Sequence, residues 1–116
     1  MYAECFIKTT RDYKVSVTPE HTLKKVAKIF GMQDIQFNNP DFDKSFQIKG
    51  DDEFLIQRLL TPDVQSSLLS IKDLEPSVRI ENKEFECSVY KHMGNDDEFD
   101  LFLNAVMALI ISANKL

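Results

Sequence analysis

The stretch NNPDFDKSFQIKGDDEFLIQRLLTP, Asn38 to Pro62, sets five acidic residues around a run of large apolar ones. Its parts separate by period. KSFQIKG alternates, with Phe46 and Ile48 on one face, as a half-buried strand does. Gly50 turns the chain, and Asp51 or Asp52 caps a helix whose apolar positions are Leu55, Ile56, Leu59 and Leu60. Thr61-Pro62 pairs a capping hydroxyl with a proline at the first helical position, and so starts another helix carrying Val64, Leu68 and Ile71. Asp41 and Asp43 read as the entry of the strand, with the Asp43 carboxylate bonding backbone N–H groups of the turn.

Two chemical readings compete with this structural one. Asn39, Asp41, Asp43 and Ser45 follow the alternating spacing of a calcium loop, but such a loop needs glycine at its sixth position and glutamate at its twelfth. Lys44 and Gly50 stand there instead, and a lysine repels the cation. The runs GDDE (Gly50–Glu53) and NDDEFD (Asn95–Asp100) could pair carboxylates for acid–base work. Both open expected helices, where carboxylates meet unpaired N–H groups and the positive end of the dipole. No metal, cofactor or catalytic residue is expected.

Outward from this stretch, AECFIKTT and DYKVSV alternate as strands and, being joined by a short polar link, are expected to pair as a hairpin. TPEHTLKKVAKIFG reads as a helix with Thr18 as cap, Pro19 in the first turn, a Leu23, Val26, Ala27, Phe30 stripe and Gly31 as the stop. MQDIQFNNPD is a connector with a short strand at Ile35–Phe37. SVRIENKEFECSVYKHM gives two strands around an Asn82-Lys83 turn. The final helix opens on Asn95 and Glu98 in capping-box logic and carries an unusually wide apolar face. The expected class is α+β, a mainly antiparallel sheet of about five strands with helices packed on one face, in the order β-β-α-β-α-α-β-β-α.

A length of 116 residues fits one domain with its own core, and nine phenylalanines with no tryptophan make Phe its main filler. The net charge of −5 and scattered lysines speak against nucleic acid, which needs a basic face. Cys5 and Cys87 lie in strand-like runs as small buried residues of a reducing compartment, unless their strands are neighbours, when a disulfide is open to them. His21 and His92 have no metal-ligand spacing and no motif joining them to a cysteine. With 3 glycines there is no phosphate-cradling loop. The apolar run Leu101–Ala113 falls short of the ~20 residues that span a bilayer, so no direct membrane insertion is expected.

Phe42, Asp43, Phe46, Ile48, Gly50, Asp51, Leu59, Leu60, Thr61 and Pro62 together resemble a family of uncharacterised bacterial domains, over a span from Tyr13 to Leu116. The resemblance brings no activity and no functional residues. It implies that this chain is a soluble fragment of a longer, membrane-anchored protein; the expected location is the cytoplasm, free or at the cytoplasmic face of the membrane. The expected function is a non-catalytic interaction or assembly module, as a homodimer or with a protein partner. Phe99, Phe102, Leu103, Met107, Ile110 and Ile111 of the last helix form the candidate interface. The competing function is a small apolar ligand or lipid-binding domain with a Phe-lined pocket.

Overall fold

Alternation builds one antiparallel sheet. The computed structural model describes residues 4–8, 13–19, 33–89 and 94–116, with backbone alone for 4–8 and 33. The strands are β1 (Glu4–Lys8), β2 (Val15–Pro19), β3 (Gln33–Asp34), β4 (Phe46–Gly50), β5 (Pro76–Glu81) and β6 (Glu84–Val89), in the spatial order β1-β6-β5-β2-β4-β3. Val17 sits opposite Ile48 on one side and Val78 on the other, and Val78 in turn opposite Cys87. This row is buried, while the residues between, such as Lys49 and Arg79, form the polar face.

Among the described residues, four helices supply the second layer: α1 (Pro40–Ser45), α2 (Glu53–Leu59), α3 (Pro62–Ser70) and α4 (Asp96–Asn114), with a 3-10 turn at Lys72–Leu74. Their buried residues, among them Phe42, Ile56, Leu59, Leu68, Val106 and Leu109, join the strand residues in a single hydrophobic cluster. The α+β class and the helices' shared packing face agree with the sequence. Of the strands, the sixth is the two-residue β3, which lies before the expected Ile35–Phe37 segment; Ile35 still donates its N–H to the Ile48 carbonyl at 2.9 Å.

Three expectations need correction. β1 does not pair with β2: its neighbour is β6, and both sides of β2 are taken by β4 and β5. Alternation fixes which residues share a face but not which strand lies alongside. Asp41 and Asp43 are not in a strand entry, because Pro40–Ser45 is a short helix capped by the Asn39 side chain on the Phe42 N–H at 3.4 Å. Asn39-Pro40 is thus the same cap-plus-proline signal as Thr61-Pro62, and was legible in the sequence. Thr18 and Pro19 belong to β2, paired with Gln47 and Phe46; the helix expected after them, including His21, lies outside the described residues, as does His92.

Within the described residues, other local signals hold. Asp52 caps α2 on the Leu55 N–H at 3.2 Å, and Thr61 caps α3 on the Val64 N–H at 3.3 Å. Asn82 and Lys83 turn β5 into β6 with φ of 55° and 64°, a left-handed pair joining Glu81 to its partner Glu84. The Asp43 carboxylate accepts from the Phe37 N–H at 3.0 Å and the Asn39 N–H at 3.4 Å.

Candidate interaction surface

The terminal helix carries the site. Asn95 accepts from the Glu98 N–H at 2.9 Å, and Glu98 reaches back one residue beyond the cap to accept from the Gly94 N–H at 2.8 Å. With its start fixed in this way, α4 runs for 19 residues. Phe102, Ala105, Val106, Leu109, Ser112 and Ala113 face the core. Ser112 donates its hydroxyl to the carbonyls of Arg58 and Leu59, which pins the last turns of α4 to the end of α2.

The opposite face is apolar as well. Phe99, Leu103, Met107 and Ile111 are all exposed, Met107 by 54%. Their spacing of four makes one continuous ridge inclined across the helix. Of the six candidate interface residues, these four come together outside. Phe102 is buried in the core and Ile110 is half-buried beside the ridge. A helix that is apolar all round must be covered on both sides or leave one face to another partner.

Phe54 was missed in the sequence, although it stands off the Leu55, Ile56, Leu59 stripe and so had no place in the core. It is 68% exposed, with the Arg58 guanidinium carbon 5.6 Å from its ring centre. Arg58 also lines a groove of about 610 Å³ at the far end of α4, along with Asp63, Val64, Ile111 and Lys115. Arg58 therefore connects Phe54 to the end of the ridge. Charge is uneven along α4: Asp96, Asp97, Glu98 and Asp100 crowd its start, while Lys115 and Arg58 lie at its end, with Asp63 beside them.

None of the groove's lining residues is a phenylalanine. The described phenylalanines are spent elsewhere. Phe42 packs edge-on to Phe37 with centroids 5.5 Å apart and against Phe46 at 5.3 Å, and Phe85 and Phe102 are buried in the same cluster. Among the described residues, no three His, Cys, Asp or Glu side chains converge as metal ligands do. Three of the five acids of the opening stretch serve the backbone: Asp43 as above, Asp52 as a cap, and Asp51 accepting from the Lys14 N–H at 2.9 Å. Among the described residues, burial pushes the Tyr13 phenol up to about 12. Its hydroxyl finds no hydrogen-bond partner among the described residues.

Among the described residues no helix is long and apolar enough to cross a membrane. Comparison with protein-family models, curated proteins and solved structures finds no match for this chain. The fold and its surface define an α+β domain with an uncovered apolar helix face.

Proposed function

We propose that the domain is a non-catalytic assembly module that pairs with a second copy of itself through the outer face of α4. The observation that carries this is the exposed Phe99, Leu103, Met107, Ile111 ridge. A ridge of i, i+4 residues fits the groove beside the same ridge on a second helix, and a twofold axis uses one surface twice. The midpoint of the ridge falls between Leu103 and Met107. An antiparallel pair therefore sets Phe99 against Ile111 of the second copy, and Leu103 against Met107. The same arrangement brings the acidic start of each helix toward Lys115 and Arg58 of the other, with the two helix dipoles opposed. A cytoplasmic setting, with or without a membrane tether elsewhere in the protein, belongs to the same proposal.

Sedimentation of the wild type and of Met107→Glu tests it. The wild type is expected to dimerise in the micromolar range, and the variant to weaken that by roughly 10–100-fold, since it buries a carboxylate with no partner. Met107 is exposed, so its circular dichroism and melting are expected to stay those of the wild type. A wild type that remains monomeric at high micromolar concentration overturns the self-pairing.

A further inference from the structure

The chain has two cysteines, and they meet on one rung of the sheet. In the β1–β6 ladder Cys5 stands directly opposite Cys87, between the rungs Glu4 with Ser88 and Phe6 with Glu86. Opposed residues of an antiparallel pair have Cα atoms about 4.5 or 5.5 Å apart, according to the type of rung. A disulfide spans Cα separations of roughly 4.4–6.8 Å, so either type of rung lies inside the window. Register shifts that keep the faces move the pairing by two residues and would set Cys5 against Phe85 or Val89 instead. Nothing in a sequence separation this long suggests the meeting; the crossing of β1 to the far side of β6 creates it.

We propose that Cys5 and Cys87 form a reversible disulfide site that latches β1 onto the sheet. Among the described residues β1 is an edge strand, hydrogen-bonded to β6 alone. Its attachment therefore rests on a single ladder, and a covalent rung would hold it there whatever that ladder does. The oxidant is a small-molecule disulfide of the glutathione class. The Cys5 thiolate attacks one of its sulfurs and expels the first thiolate, leaving a mixed disulfide on Cys5. The Cys87 thiolate then attacks the Cys5 sulfur, closes the bridge and expels the second. Two protein thiols are oxidised and one small disulfide is reduced to two thiols, so the two protons and two electrons balance. Cys87 is fully buried and is given the second, intramolecular step; exchanging the two roles leaves the product unchanged. The proposal rests on this rung and is independent of how the α4 face is used.

The test holds the native protein with oxidised glutathione, blocks remaining thiols with N-ethylmaleimide and measures intact mass and non-reduced peptides. A second arm refolds the chain in the same glutathione buffer. The expected product has lost two hydrogen masses, takes up no maleimide and yields one linked peptide pair, and it is absent in Cys5→Ser and in Cys87→Ser. Amide exchange in Glu4–Lys8 is expected to slow on bridging. A bridge that forms in the refolding arm alone still supports the site and times its closure before β1 docks. Maleimide on both cysteines after both arms, glutathione left on Cys5 without closure, or linkage only between molecules overturns the proposal.

Discussion

Gly50→Ala tests the seat of α2 on the sheet. Gly50 ends β4 opposite Val15 and Gln33, and it is buried. A Cβ placed there runs into Ile56 Cδ1 and comes within 3.1 Å of the Lys14 carbonyl oxygen and 3.2 Å of Ile35 Cδ1. The Lys14 peptide cannot easily recede. Its N–H donates to the Asp51 carboxylate at 2.9 Å, and its carbonyl accepts from the Asp51 N–H at 3.2 Å. The strain therefore falls on Ile56, a fully buried side chain, and overpacking of this kind costs about 1–3 kcal/mol. Ile56→Val deletes the offending methyl and on its own costs about 0.5–1.5 kcal/mol, mainly as a cavity. In the double variant the alanine methyl enters that cavity, so the two costs do not add, and the expected coupling is about 1 kcal/mol in favour of the pair. Urea unfolding of the four proteins, followed by far-ultraviolet circular dichroism, measures the cycle. A neutral Gly50→Ala, or a cycle additive within error, would refute the placement of Ile56 over the end of β4.

Two further outcomes follow from single groups. Tyr13→Phe removes a buried hydroxyl that finds no hydrogen-bond partner among the described residues, and is expected to raise stability by about 1 kcal/mol at neutral pH. Because folding raises the phenol pKa from 10.0 to about 12, the fold favours the protonated form. The wild type therefore loses stability between those values as pH rises, by up to about 2–3 kcal/mol. Tyr13→Phe lacks that loss, so the gap between the two proteins in urea midpoint widens with pH; a constant gap would contradict the buried setting. Asp43→Ala is expected to cost about 1 kcal/mol by stranding the Phe37 and Asn39 N–H groups, with no calcium response in either protein. A calcium-dependent melting shift in the wild type that vanishes in Asp43→Ala would restore the cation reading.

Local chemistry was readable where one residue does one job at short range. Asp52, Thr61 and Asn95 each cap the helix that follows, because a side-chain oxygen beside unpaired N–H groups has few better partners. The pairing of β1 with β6 was not readable, since a strand's pattern of faces is the same whatever lies beside it. Nor was the extent of α1: Asn39-Pro40 marks its start, but a helix of 6 residues is too short to show a stripe. Its stability comes from outside. The Asn39 amide donates to Gln65 at 2.8 Å, and Gln65, buried on α3, donates in turn to the Leu60 carbonyl at 2.8 Å. Such a chain links residues that sequence spacing keeps apart. At the candidate surface the sequence supplied the wide apolar face but not its division, because only packing against α2 and α3 decides that Phe102 points in and Met107 out.

The two acid-rich runs began as equivalent motifs, and their surroundings separate them. Around Asn38–Pro62 the carboxylates of Asp43, Asp51 and Asp52 are held by backbone N–H groups of three different segments, so their charge is used in joining the α1 turn, β2 and α2. At the head of α4, capping needs only Asn95 and Glu98. Asp96, Asp97 and Asp100 are left on an exposed helix, beside a ridge of apolar side chains that the core does not use. Helix capping alone needs neither those extra acids nor that ridge. Charge at one end, a basic pair at the other and an apolar row between them form a self-complementary surface only when a second helix runs the opposite way. A parallel partner would set acid against acid. If the α4 faces do pair, charge reversal at Lys115 should therefore weaken the pair, and adding an Asp100 reversal to it should recover part of the loss. Failure of that rescue, with dimers still present, would leave the ridge as the contact but remove the antiparallel arrangement.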